Sequence, residues 1–446
     1  MIQTFVNAWK VQELRKKMLF TLMIILLYRI GANLIIPYVN VAGLKETNQA
    51  FSDGIFGLLT MMSGGAFSQA TFFALSVSPY ITASIVIQLL SIAIPALEKM
   101  SKDQDGQKKL SAATRWVTVG LSIVTAFGYI NLLNSYGLLT KAATPVTGSG
   151  AHVLPWIVMI SCLCGGASLI MWLAEKINEH GIGNGISIIL FANIIAGMTS
   201  YIQGAISMLR NNLGWYKGWD LVFGILGVII SIALALAAIV FIVWFTNSER
   251  RIKVIYAKRV VGRKTYGGQK TNLPLKMNMA GVMPVIFASS IVSIPAMIAG
   301  FMKSTSGFAK FVNNWLGTDT AIYFVIFVAL IVAFSYFYIA ISFNPVEVAN
   351  NIRNNGGSIM GFRPQEMAPF IKKILNRVTL MGAIFLVVIA ATPLIVSAIV
   401  SLIPGASFTS VAFTGTSLLI AVGVALETVR DLEAQLSMRN YKGFLD

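Results

Sequence analysis

Long apolar runs, separated by short polar stretches, fill most of this chain. The runs reach about 18 residues or more, and a helix of that length matches the ~30 Å hydrocarbon core of a bilayer. Lipid offers no partner for a free backbone N–H or C=O, so each run must be helical. Ten membrane-spanning helices are predicted, at Met18–Ile36, Phe72–Ala96, Trp116–Leu133, Val153–Leu173, Ile182–Ala205, Leu221–Phe245, Met279–Met302, Ala321–Phe343, Ile374–Val400 and Phe408–Leu426.

Composition indicates the same class of protein. The chain is 56% hydrophobic and 11% charged, whereas a soluble domain is about 25% charged. A soluble globule has too little interior for this much apolar surface, and the mean hydropathy of +0.75 agrees. No small-residue cleavage site follows the first run, so we interpret it as a membrane helix and not as a signal peptide. The predicted fold class is an all-α integral membrane protein.

The positions of lysine and arginine predict the orientation. With the N-terminus in the cytoplasm, the cytoplasmic segments hold 27 of the 34 Lys and Arg residues and the outer loops hold six. The positive-inside rule therefore places both termini in the cytoplasm. Most of the net charge of +17 is then explained by membrane topology and not by nucleic-acid binding.

Arg29 lies inside the first predicted span. An arginine within a membrane helix can be a functional charge. Alternatively, Arg29 stands about two turns before Pro37, so its long apolar stem can carry the guanidinium to the outer interface. The position favours the second interpretation.

The segment Met61–Ala70 precedes the second span on the outer side and is too short to cross a membrane. Its glycines and serines fit a re-entrant segment buried in protein. They fit an ordinary surface loop equally well, and composition does not separate the two. The second span then begins with small polar residues around Pro79. The proline predicts a kink, and the small residues predict close contacts with other helices.

The sequence contains no catalytic or metal-binding constellation. Cys162 and Cys164 share one apolar run and are interpreted as packing residues. His180–Ser187 resembles a glycine-rich phosphate loop, but no strand precedes it. We expect Asn184 or the glycines to cap the helix that follows. Neither an enzymatic activity nor a cofactor or metal is predicted.

Asn247–Lys276 is the most basic loop, with nine Lys or Arg residues and one acid, Glu249. Its β-branched residues and turn glycines predict an extended hairpin that projects into the cytosol. Topology alone needs only two or three positive charges, so a docking surface for an acidic partner or RNA is predicted here. The loop Asn344–Lys373 has a similar but weaker pattern.

Six stretches resemble signatures of the SecY family, the channel subunit of bacterial Sec translocons. They are SGGAFSQATFFALSVSPYITASIVIQLLS at Ser63–Ser91, the stretch Trp172–Leu190, RRIKVIYAKR at Arg250–Arg259, NLPLKMNMAGVMPVIFASSI at Asn272–Ile291, FNPVEVANNIRNNGG at Phe343–Gly357 and FTGTSLLI at Phe413–Ile420. The resemblance runs from Arg15 to the tail. It implies two pseudo-symmetric five-helix halves around a central pore, at residues 1–215 and 216–446.

The resemblance also implies specific sites in the pore. A plug is implied at about residues 61–70, centred on Ser63, Gly64, Gly65, Ala66, Phe67 and Ser68. A lateral gate between the second and seventh helices is implied at Ile85, Gln88, Thr114, Asn278 and Ile291. A pore ring is implied at Val77, Ile81, Leu190, Ile286 and Ile420. The family often has isoleucine at all five ring positions, so Val77 and Leu190 depart from it but remain apolar. Aliphatic side chains offer ions no ligands and can gate by dewetting.

The cytosolic loops 247–276 and 344–373 become docking sites for the SecA motor and the ribosome, at Arg259, Arg263, Lys264 and Arg363. Around Arg363 the sequence reads MGFRPQ, where the family has proline-glycine-apolar-arginine-proline-glycine, so two turn residues differ. The resemblance further implies SecE-like and SecG-like membrane subunits, contacts with signal sequences and nascent chains, and the bacterial cytoplasmic membrane.

The expected function is a passive protein-conducting channel that partners drive. A secondary transporter for a small solute is one alternative, but it would need a polar site at the bilayer midplane, and few acids lie inside any span. An intramembrane enzyme is a second alternative, but it would need paired acids or a nucleophile with its base, which the sequence lacks.

Overall fold

A computed structural model describes residues 2–44, 59–60, 62–140, 143, 153–197, 233, 236–256, 259–261, 264–266, 270–301, 306–315, 320–363, 365–401 and 415–442. Helices make up most of this part of the chain. They are α1 Ile2–Lys10, α2 Gln12–Gly31, α3 Ser78–Ala93, α4 Pro95–Lys102, α5 Gln104–Ser135, α6 Val153–His180, α7 Gly185–Gly197, α8 Leu236–Thr246, α9 Met283–Phe301, α10 Gly307–Trp315, α11 Ala321–Ser342, α12 Pro345–Asn354, α13 Met367–Ser401 and α14 Gly415–Lys442. The strands are β1 Glu249–Tyr256, β2 Arg259–Val261, β3 Lys264–Tyr266, β4 Lys270–Lys276 and β5 Gly357–Ile359.

Several helices have the length and apolarity of membrane spans. Among the described residues, four such helices occur, and they include most of α5, α6, α11 and α13. A fifth span is formed if α3 and α4 are taken together, although the pair is bent by 112°. The mostly helical membrane class is therefore confirmed. The count of ten stays a prediction, because parts of several predicted spans lie outside the described residues.

The second predicted span, Phe72–Ala96, differs from the prediction in two ways. The chain makes successive turns through residues 63–77, and α3 begins only after them. Pro79 occupies the first turn of α3, where its missing N–H costs no helix bond, so the kink predicted there is wrong. The bend falls instead at Ile94, whose backbone is extended. Pro95 follows it, and a proline disfavours the helical conformation of the preceding residue.

The chain divides into two compact units. The first comprises Met1–Arg210, Ser289–Ile326 and Val424–Asp446, and the second comprises Asn211–Ala288 and Phe327–Gly423. Within the first unit, one core cluster joins α5 and α6 to the turns before α3. Cys162 and Cys164 pack against this cluster as free cysteines, as predicted. The predicted division into residues 1–215 and 216–446 stays a prediction.

The two loops predicted to be cytosolic fold together within the second unit. The predicted hairpin is confirmed, since β1 pairs antiparallel with β4 from Glu249↔Lys276 to Ile255↔Lys270. The short strands β2 and β3 pair with each other further along the same loop. The second loop adds β5 to the other edge of β1, so the sheet order is β4-β1-β5. Apolar residues from both loops form one core, at Ile252, Val254, Leu275, Ala349, Ile352, Ile359, Met367 and Ile371.

Candidate functional site

The segment predicted as a plug is buried. Ser63 is 0% exposed, Ala66 1%, Phe67 7% and Ser68 6%. Met61, the first residue of the predicted range, lies outside the described residues. The other described residues of this range are buried or partly buried, except Gln69. The segment is therefore buried in protein and is not an ordinary surface loop, and its role as a re-entrant plug stays a prediction.

Its small polar residues close the turns of the segment. The Ser63 hydroxyl donates to the Thr60 carbonyl at 3.0 Å and accepts from the Phe67 N–H at 3.0 Å. Gly64 and Gly65 have φ angles of 63° and 89°, which side-chain-bearing residues rarely adopt. In these turns the backbone N–H and C=O groups lack the regular partners that a helix or a strand provides, and the Ser63 hydroxyl bonds to two of them. The composition of the segment thus follows from its burial.

Three side chains outside the segment hold it in place. The Tyr129 hydroxyl of α5 donates to the Phe67 carbonyl, and the two rings lie 4.8 Å apart between centroids. The Asn193 amide of α7 donates to the Met62 carbonyl at 2.9 Å. The third is Arg29 of α2. Sequence reasoning did not assign Asn193 or Tyr129, although a polar group inside an apolar run signals a need for a partner.

Arg29 is partly buried against protein groups, and the interpretation that it reaches the outer interface stays a prediction. Its guanidinium donates to the Ala192 carbonyl on α7. It also packs against Gly64, where a Cβ atom would lie 2.9 Å from one guanidinium nitrogen and 3.0 Å from the other. The packing of α7 next to the end of α2 brings Arg29, Ala192 and Gly64 together. The local sequence around Arg29 does not show this packing.

The exit from the segment is held by backbone contacts. The Ile36 N–H donates to the Ala70 carbonyl at 3.0 Å, and the Phe72 N–H donates to the Leu34 carbonyl at 2.7 Å. Gly166 of α6 allows the chain to pass close by, since a Cβ atom there would lie 2.0 Å from the Phe72 carbonyl oxygen. The segment is thus enclosed by α2, α5, α6 and α7.

The five predicted ring residues are all buried. Val77 is 1% exposed, Ile81 3%, Leu190 1%, Ile286 2% and Ile420 5%. Val77, Ile81 and Leu190 belong to the first unit, and Ile286 and Ile420 to the second. Val77 is the residue directly before α3, at the end of the turns that lead from the plug segment to that helix. Their arrangement as one ring stays a prediction.

Two of the predicted polar residues of the gate form hydrogen bonds within their own helices. Gln88 donates to the Ser84 hydroxyl at 3.3 Å, and Thr114 donates to the Leu110 carbonyl at 2.9 Å, each one turn earlier in the same helix. Asn278 is 7% exposed, and its side-chain oxygen has no hydrogen-bond partner among the described residues. Ile85 is buried and Ile291 partly buried.

The described docking residues lie in or next to the paired strands of the two loops predicted to be cytosolic. Arg259 begins β2 and Lys264 begins β3, in strands that pair with each other. Arg263 lies outside the described residues. Arg363 is exposed and follows β5 after a short turn in which the Phe362 N–H donates to the Ile359 carbonyl at 3.2 Å.

The loop that resembles a phosphate-binding motif is filled by protein groups. The Gly183 N–H donates to the Asp431 carboxylate at 3.0 Å, and the Gly185 N–H donates to the Asn178 side chain at 2.7 Å. Asn184 caps α7 as predicted, because its side-chain oxygen accepts from the Ile186 N–H at 3.1 Å. Among the described residues, no cluster of three or more His, Cys, Asp or Glu is placed to hold a metal ion.

Proteins of similar sequence identify the family. A family model described as SecY matches residues 71–429. The protein translocase subunit SecY of Streptomyces galbus is 42% identical over 456 residues, covering 100% of both chains. The same-named protein of Mycobacterium tuberculosis (strain ATCC 25618 / H37Rv) is 40% identical over 458 residues, again covering 100% of both chains.

Solved structures agree on the fold. A structure described as a protein conducting channel superposes with a TM-score of 0.63 at 17% identity, covering 94% of this chain and 92% of that one. A structure concerning the plug domain of the SecY protein gives a TM-score of 0.62 at 16% identity over the same shares. Fold and site together define a polytopic helical membrane protein with a buried, turn-rich segment before a broken span. The chain belongs to the SecY family.

Proposed function

We propose that this chain is the protein-conducting channel of a Sec translocon in a bacterial cytoplasmic membrane. It passes unfolded polypeptides across the membrane and releases hydrophobic segments sideways into lipid. The single structural observation that carries the proposal is the buried segment from Met62 to Ser76, because a turn-rich backbone enclosed by membrane helices fits a removable plug. Family membership supports it, since the relatives are named protein translocase subunit SecY.

The seal of the channel is formed by apolar side chains. Val77, Ile81, Leu190, Ile286 and Ile420 are the proposed ring, and all five are buried. Aliphatic groups bind neither water nor ions well, so a narrow ring of them blocks ion flow by dewetting. They also make no sequence-specific bond with a passing polypeptide, so the ring deforms around chains of any composition. The plug from residue 62 onward closes the outer side.

The gate between the second and seventh helices sorts segments by hydrophobicity. A segment of about 20 apolar residues at about −0.5 kcal/mol each favours lipid by roughly 10 kcal/mol, whereas a polar segment has no such drive. Hydrogen bonds between membrane helices contribute only about 0.6 kcal/mol on average. The bonds of Gln88 and Thr114 within their own helices fit a gate that opens at low cost.

The energy for transport comes from partners, because the chain is a channel and not an enzyme. The SecA motor and the ribosome are the proposed partners at the cytosolic face, together with small SecE-like and SecG-like membrane subunits. The module formed by β1, β4 and β5 carries exposed cations, among them Arg251 and Arg363. A rigid, basic and projecting surface suits both an acidic protein and ribosomal RNA. Both termini of the chain are proposed to be cytoplasmic, as the charge distribution predicts.

Reconstitution tests the proposal directly. Proteoliposomes would contain this chain with SecE-like and SecG-like subunits from a Streptomyces relative, and would receive SecA, ATP and an unfolded secretory precursor. We expect the precursor to become protected from external protease only when ATP and SecA are both present. Protease-sensitive precursor under all conditions, with uptake of a small solute instead, would contradict the proposal and favour a secondary transporter.

A further inference from the structure

We infer that Arg29 and Asn193 form a latch that holds the resting plug and couples its release to the pore ring. This inference rests on the proposed function, because it concerns how that channel stays closed. Arg29 belongs to α2, Asn193 to α7, and both contact the beginning of the plug segment. In this latch, two membrane helices hold one turn of plug backbone between them.

The Arg29 guanidinium is satisfied by backbone and not by an acid. It stands in the last turn of α2, where a cation interacts favourably with the helix dipole. It donates to the Ala192 carbonyl and lies against Gly64. None of the ion pairs made by the described residues includes Arg29. The Tyr28 ring lies 5.9 Å from the guanidinium carbon, so among these partners only Gly64 belongs to the plug segment. Release of the plug therefore removes the packing of Gly64 against the Arg29 guanidinium.

Asn193 ties the beginning of the plug segment to the turns just before α3. Its amide nitrogen donates to the Met62 carbonyl at 2.9 Å and lies 3.4 Å from the Ser76 hydroxyl. The Ser76 hydroxyl also donates to the Met62 carbonyl, at 3.2 Å. Asn193 is 0% exposed, and the Tyr28 side chain of α2 is a further hydrogen-bonding neighbour. Loss of the bond to Met62 would leave a buried polar group with one partner fewer, which is costly.

The latch shares its helix with a ring residue. Leu190 lies on α7 two and three positions before Ala192 and Asn193, and Ser76 directly precedes Val77. A polypeptide that enters the ring must push Leu190 aside, and a helix moves as a stiff element. Lengthening the 2.9 Å bond from Asn193 to Met62 by about 0.7 Å would bring it to about 3.6 Å, where the hydrogen bond is lost. Widening of the ring therefore unlocks the plug in the same movement.

The test measures how often the resting plug opens. Ser68 is replaced by cysteine in a chain whose Cys162 and Cys164 are replaced by serine, because Ser68 is only 6% exposed in the closed plug. The chain is reconstituted with its SecE-like and SecG-like subunits, without SecA or substrate. The rate of labelling by a membrane-impermeant maleimide then reports plug opening, and planar-bilayer conductance reports the seal.

Four latch variants and two controls are compared. Arg29→Met is expected to raise the labelling rate about tenfold, and Asn193→Ala about threefold, the factor that matches an average membrane hydrogen bond. Arg29→Lys should restore much of the seal, because it keeps a charge and a donor. The double variant should resemble Arg29→Met, because both residues hold the same turn. The controls are Arg115→Met and Asn33→Ala, whose hydrogen bonds run to Glu175 and to the Arg29 carbonyl and not to the plug.

The outcomes separate the latch from the channel itself. The latch is overturned if the Arg29→Met and Asn193→Ala variants are labelled and conduct ions like the parent protein. The proposed function stays intact in that case, provided that the parent translocates a precursor. Absence of translocation by the parent protein would overturn the function. If Arg29→Met does not fold, Asn193→Ala decides: faster labelling at an unchanged unfolding temperature supports the latch, and an unchanged rate overturns it.

Discussion

The Asp431 carboxylate accepts a hydrogen bond from the backbone N–H of Gly183 at 3.0 Å. Gly183 has a φ of 70°, in the left-handed region that glycine adopts readily. Gln435 donates to the same carboxylate at 3.2 Å and accepts from Lys17 at 3.2 Å. The final helix α14 is thereby joined to α2 and to the loop that starts α7, the helix that carries Leu190.

Replacing Asp431 should loosen this joint. Asp431→Ala leaves the Gly183 N–H without its acceptor, and a hydrogen bond to a charged group is worth about 1.5–3 kcal/mol. We expect a fall of several degrees in the unfolding midpoint of the detergent-solubilised protein. Asp431→Asn is the matched control, because its amide oxygen still accepts. Equal midpoints for the alanine variant and the parent would show that this bond contributes nothing.

Gly166 should not tolerate a side chain. A Cβ atom there would lie 2.0 Å from the Phe72 carbonyl oxygen, so Gly166→Ala must displace either α6 or the exit of the plug segment. Overpacking of this kind costs about 1–3 kcal/mol. At the neighbouring Gly165 the nearest atom to a Cβ lies at 3.7 Å, so Gly165→Ala is the control. Thermal unfolding of both variants checks the difference, and equal loss of stability would contradict it.

Replacing the plug should make the channel leak. A chain in which Gly64–Ser68 are exchanged for bulky polar residues loses the positive-φ turns and the bonds of Ser63 and Tyr129 that depend on them. We expect spontaneous ion conductance in a planar bilayer. Exchange of the exposed Gln69 alone serves as the control. Conductance equal to that of the parent would count against the plug.

Reversing the charge of Arg363 should block export. Arg363 is exposed at the end of the turn after β5, where a glutamate would repel an acidic partner or RNA without disturbing the core of the module. We expect Arg363→Glu to abolish SecA-driven protection of a precursor while the chain itself still inserts into the membrane. Lys109→Glu, in another cytosolic segment and also exposed, is the control. Normal export by Arg363→Glu would remove the docking assignment.

A disulfide across the gate should lock it. Ile85→Cys combined with Ile291→Cys, in a chain whose own cysteines are replaced by serine, is expected to crosslink on oxidation and to stop export until the bond is reduced. Ile85→Cys with Ile298→Cys is the control, because Ile298 lies about 10 Å further along α9, beyond the ~7 Å reach of a disulfide. Efficient crosslinking with unimpaired export would defeat the gate mechanism.

The local features of this chain were predictable from its sequence. Lipid forces apolar runs into helices, so the spans emerge from composition alone. The cap at Asn184 and the hairpin of β1 with β4 also follow from residues near one another in the chain. The five ring positions came from resemblance to a family and not from spacing, and the structure adds their burial.

Contacts between distant residues were decided only by the tertiary structure. No local signal shows that β5 joins β1, because three residues carry too little pattern to specify a partner strand. The direction of the Arg29 side chain depends on Ala192, which lies 163 positions further along the chain. The sequence by itself determined that this chain must lie in a membrane, because backbone groups and apolar side chains meet lipid residue by residue. Where a polar group inside that membrane finds its partner depends on how the helices pack, and only the folded chain determines this.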